Sequence, residues 1–165
     1  MLMPHEVPGL PETRQPVIRL ATEEDVEPLH RMLKSLAGNH GPEAEFLAEP
    51  EDIRRDGFGP QARYESWVVE VAAIPAGFAS FFPTYSTFKS RACLHLDNLY
   101  VEPEFRGLGL AQLLLRQVRQ RALELECWRI DLHVHVSSPA RQVYERFGFT
   151  HTSDTVYSLP LQSGT

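Results

Sequence analysis

The chain has 165 residues, a formal net charge of −6 at pH 7, 42% hydrophobic residues and 23% charged residues. This length and composition are typical of one globular domain that buries its own core without cross-links. The acidic balance and the lack of a block rich in Lys and Arg argue against nucleic-acid binding, and no apolar run approaches the ~18 residues of a membrane span.

Residues 1–16 form a distinct N-terminal segment. They include four prolines and the acidic residues Glu6 and Glu12, and they lack the apolar stretch of a secretory signal. We therefore expect an extended Pro-rich extension over residues 1–16 and a folded domain over residues 17–160. The two cysteines, Cys93 and Cys127, show neither metal nor redox spacing, so we expect reduced thiols in a cytoplasmic protein.

The N-terminal half alternates short strands and helices. Thr22 is a typical N-cap followed by acidic residues, and Val26, Leu29 and Leu33 recur at helical spacing. The spacing and the turn residues predict, in order, a strand over Val17–Leu20, a helix from Thr22 to Gly38, a helix over Glu51–Phe58, and strands over Ser66–Ala73 and Gly77–Pro83.

The C-terminal half contains the longest predicted helix. Leu110, Leu113, Leu114 and Val118 share one helix face, and Arg129–Val136 alternates apolar and polar residues like a half-buried strand. The predicted elements are a strand over Ala92–Val101, a helix over Gly109–Glu126, a strand over Arg129–Val136, a helix from Ser138 to Gly148 and a strand over Thr155–Leu159. This order predicts one α/β domain with a mixed sheet.

The segment between Val101 and the long helix is the most informative part of the sequence. Gly107 and Gly109 lie where a strand turns into a helix, and the N–H groups and dipole of a helix start suit phosphate. A P-loop is excluded because Leu110, not Lys, follows Gly109. A dinucleotide fingerprint is excluded because Gln112 takes the place of its third glycine. The segment therefore predicts a pyrophosphate-binding turn of another kind.

The remaining pattern is Arg-x-x-Gly-x-Ala, at Arg106, Gly109 and Ala111, and it resembles the acyl-CoA signature of the GNAT acetyltransferase superfamily. Four further segments resemble, in the same order, the diamine branch of that superfamily, the spermidine/spermine and thialysine acetyltransferases. They read EDIRRDGFG (51–59), AGFASFFPTY (76–85), LDNLYV (96–101) and ARQVYERFGF (140–149). The resemblance covers about residues 18–159.

The resemblance implies a GNAT fold, an α/β domain with a mixed, mostly antiparallel sheet of six to seven strands and about four helices. Acetyl-CoA would enter where the strand ending at Val101 splays from a parallel strand beginning at Arg129. Backbone N–H groups of the glycine turn would bind its pyrophosphate, and that of Leu99 the developing oxyanion. The implied cofactor-binding residues are Leu99, Tyr100, Val101, Arg106, Gly107, Leu108, Gly109, Leu110, Ala111, Ser137 and Ala140.

Two side chains are implied as catalytic. Tyr144 matches the tyrosine that protonates the departing thiolate, although its place on an apolar helix stripe also suits a core aromatic residue. Asp97 matches a glutamate that receives the proton of the amine. Because a free Asp has a pKa of ~3.9 and an amine one of ~10.4, we expect a relay through water rather than direct abstraction. The alternative is an Asp97 paired with a neighbouring Arg or His.

The implied substrate-binding residues are Asp97, Asn98, Asn39 and His40. The diamine enzymes carry two acids where this chain reads Asp97-Asn98, and an aromatic–acid pair where it reads Asn39-His40. A polyamine would therefore lose two partners, and we expect it to fit less well than a smaller amine.

These features predict acetyl-CoA-dependent N-acetylation of a small primary amine, such as a diamine, a thialysine-like compound or an amino acid. The amine would attack directly in a ternary complex, in a homodimer without a metal, nucleic-acid or membrane partner. A protein lysine or N-terminus is the alternative acceptor, and a non-catalytic acyl-CoA-binding regulator is the alternative of another class. Asp131, His133 and His135 share a strand face, but nothing completes a metal site, so we expect solvent or a subunit interface there.

Overall fold

The computed structural model of the protein describes residues 11–39, 41, 45–154 and 156–159. Five strands form one sheet in the order of the sequence, with antiparallel pairing from the first to the fourth and parallel pairing between the fourth and the fifth. They are β1 (Val17–Leu20), β2 (Glu65–Val71), β3 (Ile74–Ser86), β4 (Arg91–Val101) and β5 (Ile130–Leu132). The fold class is the α/β fold with a mixed, mostly antiparallel sheet that the sequence predicts.

Four α-helices cover the two faces of the sheet. They are α1 (Val26–Asn39), α2 (Pro50–Phe58), α3 (Leu110–Glu124) and α4 (Arg141–Phe147), and 3₁₀ turns lie at Glu12–Arg14, Glu23–Asp25 and Pro103–Phe105. Apolar residues of α1 and α2 pack on one face against Val68, Phe78 and Tyr100. Those of α3 pack on the other face, where Tyr144 of α4 also lies. Alternation along each strand supplies both cores, since successive side chains point to opposite faces.

Ion pairs connect the first two strands to each other and to the helical elements that pack against them. Arg121 of α3 donates from two nitrogens to the carboxylate of Glu65 on β2, at 2.9 and 3.0 Å. Arg19 of β1 contacts both Asp25 and Glu70. Burial would raise the pKa of Asp25, but hydrogen bonds from Arg19 and from the Thr22 backbone outweigh it and lower that pKa. Such fork-shaped contacts hold an element in one orientation.

The strand count differs from the six to seven predicted, because the described residues form five strands. The predicted strand over Arg129–Val136 is shortened to three residues, and residues 156–159 have no regular secondary structure, with Thr155 outside the described residues. The physical reason is burial: a strand needs one apolar face in the core. Here Val136, Tyr157 and Leu159 are instead mostly exposed.

Candidate active site

The glycine turn lies at the end of β4, between the 3₁₀ turn Pro103–Phe105 and α3. Gly107 and Gly109 have φ angles of +82° and +74°, in the left-handed region that favours glycine. A Cβ added at either position would meet nothing within 4 Å. The backbone of the turn is therefore open on the side where side chains would otherwise stand, and a ligand can approach it closely.

The start of α3 presents backbone N–H groups to this open space. The first helical hydrogen bond runs from the N–H of Leu113 to the carbonyl of Gly109, at 3.2 Å. The N–H groups of Leu110, Ala111 and Gln112 precede that bond, and the N-cap residue Gly109 has no side chain to accept from them. Unpaired N–H groups and the positive end of the helix dipole together favour an anion. The turn fits a diphosphate.

Arg106 ties the turn to the strand that precedes it. Its Nε donates to the backbone carbonyl of Val101 at 3.0 Å, and its guanidinium lies 5.9 Å from the centre of the Tyr100 ring. The side chain is thus engaged with β4, and it brings its positive charge to the mouth of the turn.

The last residues of β4 have a backbone edge that no strand of the described residues covers, and on it the Val101 carbonyl accepts from Arg106. Glu102 donates its N–H to Ala76 of β3 at 2.9 Å. Because backbone groups alternate sides along an antiparallel ladder, those of Leu99 and Val101 face away from β3. On that side the pairing with β5 ends at Leu96. The sheet therefore splays after Leu96, and an extended ligand could pair with the exposed edge as a strand does.

A β-bulge in β4 places two successive residues on the same side of the sheet. The register between β3 and β4 shifts after Ser80, so that Asp97 has no partner. Regular alternation would send Asp97 and Asn98 to opposite faces, but both line one cavity on the face covered by α1 and α2. The Asn98 amide donates to the Asp97 carboxylate at 2.8 Å, which orients that carboxylate.

The cavity has a volume of about 490 Å³, which lies within the range of small-molecule sites. Its wall combines apolar side chains with three carboxylates and one arginine. The lining residues are Leu33, Phe46, Ala48, Asp52, Ile53, Asp56, Arg63, Tyr64, Ser80, Phe82, Asp97 and Asn98. Burial and then the charges of Asp56 and Asp97 raise the pKa of Tyr64. The wall therefore suits a cation with an apolar body.

Tyr144 lies on the opposite face of the sheet from this cavity. It packs against the core beneath α3, and its ring meets that of Phe149 edge to face at 5.8 Å between centres. Gln112 of α3 donates its side-chain amide to the carbonyl of Val143 at 3.1 Å, which fixes α4 against α3. Burial raises the pKa of Tyr144, so its hydroxyl is protonated at neutral pH.

A model of the acetyltransferase (GNAT) family matches residues 19–149. The chain belongs to this family. It is therefore an acetyl-CoA-dependent N-acetyltransferase, as the sequence predicts.

Individual relatives of this GNAT protein carry more specific names. A thialysine N-epsilon-acetyltransferase from Bos taurus is 30% identical over 126 residues, which cover 72% of this chain and 74% of that protein. A spermine/spermidine N(1)-acetyltransferase from Bacillus subtilis is 32% identical over 77 residues, covering 44% of this chain and 51% of that protein. A solved aminoglycoside N-acetyltransferase in complex with CoA superposes with a TM-score of 0.72 at 21% identity, covering 92% and 98% of the two chains, and shows the shared fold.

The remaining predicted residues lie around this GNAT site in different situations. Ser137 is exposed, and its hydroxyl is 2.7 Å from Nδ1 of His135. Ala140 is the half-buried N-cap of α4. Asn39 ends α1, is exposed, and is not part of the cavity wall. His40 lies outside the described residues. The functional roles of all four stay predictions.

Several residues of the site were not singled out from the sequence. Arg63 and Tyr64 follow α2 and line the cavity, as Phe82 of β3 does. A Cβ at Gly57 would lie 3.1 Å from the Tyr64 hydroxyl, so the glycine of the EDIRRDGFG segment makes room for Tyr64. Gly57 followed by an aromatic residue seven positions later is the sequence signal that could have pointed to Tyr64. Only the fold shows that the two residues meet.

Asp131, His133 and His135 do not share a strand face, because β5 ends at Leu132 before the two histidines. Asp131 accepts from Nε of Arg129 at 2.8 Å, and the ring of His133 lies 4.9 Å from that of His95. Among the residues that the structure describes, no group of three His, Cys, Asp or Glu side chains could hold a metal ion. None of the helices described is long and apolar enough to cross a membrane.

Proposed function

We propose that this acetyltransferase transfers the acetyl group of acetyl-CoA to a primary amine of a small molecule bound in the acidic cavity. The observation that carries the proposal is the β4 bulge, which turns Asp97 into the cavity at the point where the sheet splays. Both the cavity and the glycine turn then adjoin the C-terminal part of β4: Asp97 and Asn98 line the cavity, and the turn follows Val101. An amine and an acyl donor can meet there in a single complex.

The residues present fit acetyl-CoA, which would supply the activated acetyl group as a thioester. The N–H groups from Gly107 to Ala111 would bind its diphosphate, with Arg106 adding positive charge. The outward-facing backbone groups of Leu99 and the N–H of Val101 would pair with the amides of its pantetheine arm. The sequence also predicted Tyr100 for this role, but its backbone groups face β3. The N–H of Leu99 would donate to the carbonyl oxygen as that oxygen gains negative charge. Ser137 and Ala140 would contact the same arm from the start of α4.

Asp97 would hold the ammonium of the acceptor and help to remove its proton. A carboxylate is a much weaker base than an amine, so direct proton transfer from an ammonium to a carboxylate is strongly uphill. Asp97 therefore anchors the cation, and water carries the proton away. Asn98 holds the Asp97 carboxylate in position through the bond at 2.8 Å.

Tyr144 would act as the general acid. Because burial raises its pKa, the phenol keeps its proton at neutral pH and can give it to the departing sulfur. Tyr144 and Asp97 lie on opposite faces of the sheet. They can serve one reaction only through the gap between β4 and β5, which is where the acyl donor would lie.

A small amine is favoured over a protein acceptor because the acidic wall belongs to a cavity of about 490 Å³ formed by several elements. The names of the bovine and bacterial relatives point in the same direction. Neutral Asn98 disfavours a polyamine. We also expect a cytoplasmic homodimer, in keeping with the resemblance of the sequence.

The test is a panel of amines incubated with acetyl-CoA, with release of free thiol followed over time. We expect turnover with amino acids that carry a side-chain amine and with short diamines, and slower turnover with spermidine. A strong preference for spermidine would contradict the interpretation of Asn98. If CoA binds but acetyl-CoA releases no free thiol in the presence of any amine of the panel, the non-catalytic regulator is supported instead.

A further inference from the structure

A pair of histidines lies beside the acidic cavity, where the pairing of β4 with β5 comes to an end. His95 of β4 is paired with Phe82 of β3, and the centres of their rings are 5.0 Å apart. Cross-strand partners share one face of the sheet, and Phe82 lines the cavity. His95 therefore lies next to the cavity wall, two residues before Asp97 on the same strand.

His133 extends this arrangement from His95 to the surface. It follows the end of β5, and its ring meets that of His95 edge to face, with 4.9 Å between the ring centres. His95 is half-buried, whereas His133 is exposed. The two imidazoles thus connect the border of the cavity to solvent, and the reaction described above uses neither of them.

The surroundings of His95 keep its ring neutral at rest. Burial and then the neighbouring His133 lower its pKa, while the carboxylates of Asp97 and Asp131 act in the opposite direction. Asp131 is already paired with Arg129 at 2.8 Å. Because the pKa of His95 lies below the ordinary histidine value of ~6.5, its ring is mostly neutral at pH 7 and can accept a proton. The two carboxylates would stabilise the imidazolium while it exists.

We propose that His95 and His133 carry to solvent the proton that leaves the acceptor ammonium held by Asp97. This inference rests on the proposed function, since it gives a destination to the proton that water removes from the amine. His95 does not line the cavity, so it acts on the amine only through water and Asp97. An imidazole is ordinarily a stronger base than a carboxylate, which makes His95 a better proton acceptor than Asp97.

The proton transfers balance with one proton released for each acetyl group transferred. His95 accepts a proton at a ring nitrogen and becomes an imidazolium, while the electron pair stays on the amine nitrogen for the attack. His133 passes that proton to solvent, and His95 returns to its neutral form. Tyr144 gives a different proton to the departing sulfur and recovers one from the nitrogen of the new amide.

The experiment measures kcat against pH with L-lysine or 1,4-diaminobutane, whichever the unmodified enzyme acetylates faster. At pH 7 we expect His95→Gln to lower kcat roughly 10- to 100-fold, because the proton has lost its acceptor. At pH ~9.5 the loss should shrink to about threefold or less, since a larger share of the amine is then free of its proton and needs no relay. A mere loss of packing would lower kcat equally at both pH values.

His95→Phe separates proton transfer from packing. It keeps a ring against Phe82 and His133 but has no ring nitrogen, so it should be as slow as His95→Gln at pH 7. His133→Phe should lower kcat less, because solvent can still reach the half-buried His95. The matched control is His151→Gln, which removes an exposed histidine outside the cavity wall and should leave the pH profile unchanged.

The melting temperature and the affinity for CoA report whether each variant is folded, and His95→Phe carries the same test if His95→Gln does not fold. A kcat of His95→Phe at pH 7 close to that of the unmodified enzyme would overturn the relay and leave the proposed function intact. A loss in His95→Gln that is equal at both pH values would do the same. Failure of the unmodified enzyme to release thiol with either amine would contradict the proposed function itself.

Discussion

Tyr144 combines a packed aromatic ring with a hydroxyl whose pKa is raised. Its ring is packed against Phe149 and the α3 core, which accounts for its place on the apolar stripe of α4. Burial also raises the pKa of its hydroxyl, which favours a proton donor at neutral and moderately alkaline pH. Packing and acid function are therefore compatible in the same side chain.

Replacing Tyr144 with Phe tests the second property while keeping the first. We expect Tyr144→Phe to lower kcat by about 100-fold or more, with the affinity for CoA unchanged, because only the proton donor is lost. Because burial raises the pKa of the Tyr144 phenol, the unmodified enzyme should lose activity only at strongly alkaline pH, where the phenol loses its proton. That alkaline limb of the kcat–pH profile should disappear in Tyr144→Phe.

Phe149→Leu provides a control for the same packing contact. It removes the ring that meets Tyr144 but leaves the Tyr144 hydroxyl. It should therefore lower the melting temperature and leave kcat nearly unchanged. An unchanged kcat in Tyr144→Phe would show that Tyr144 is a structural residue.

The sequence predicted Asp97 and Asn98 as site residues, but it did not predict that both side chains lie on the same face of the sheet. A regular strand over Ala92–Val101 places neighbouring side chains on opposite faces. The bulge breaks this rule at a position where nothing local marks it, because its cause is the register with β3 around Ser80. Arg63 was missed for a related reason, since it reaches the cavity only through the turn that brings it back to α2.

At the scale of elements, the bend before α3 was the best predicted part of the molecule. Its glycines, the missing side-chain cap and the helix start are all local in sequence, so the pattern at Gly107 and Gly109 indicated the geometry directly. The strands after α3 were predicted less well. The alternation over Arg129–Val136 depends only on the local sequence, whereas a strand forms only where a neighbouring strand is available for pairing. Only Ile130–Leu132 finds its partner on β4.

Gly109→Ala tests the bend. The left-handed φ of +74° makes any L side chain cost roughly 1–2 kcal/mol there, and a Cβ would enter the open space in front of the N–H groups. We expect CoA, titrated by calorimetry, to bind roughly tenfold or more weakly, because charge-assisted contacts to the diphosphate are disturbed.

Gly41→Ala is the matched control for strain. Gly41 has a φ of +94° and nothing within 4 Å of an added Cβ, but it follows the end of α1 and is not part of the bend. It should lower the melting temperature by a similar amount and leave CoA affinity unchanged. Equal CoA affinity in the two variants would contradict the assignment of the bend as the diphosphate site.

At the scale of the whole molecule, the sheet separates two compartments. The acidic cavity lies under α1 and α2, and Tyr144 lies with α3 and α4 on the other face. The splay after Leu96 joins the two compartments at the end of β4. Under the proposed function, two substrates would bind at once from different sides of the sheet, and no covalent acetyl carrier on the protein would be needed.

The two cysteines fit this layout, because neither is placed to carry an acetyl group. Cys93 is 2% exposed and accepts a hydrogen bond from Nε1 of Trp128 at 3.1 Å. Burial raises the pKa of Cys127, which keeps it a thiol and a weak nucleophile. Neither residue lines the cavity.

Direct attack in a ternary complex therefore predicts intersecting lines in initial-rate plots when acetyl-CoA and amine are varied together. Mass spectrometry of the enzyme incubated with acetyl-CoA alone should show no acetylated protein, and Cys127→Ser should retain its kcat. Parallel lines with an acetylated cysteine would indicate a ping-pong mechanism. In that case the two compartments would be filled in turn rather than together, and the gap between β4 and β5 would not be the place where amine and thioester meet.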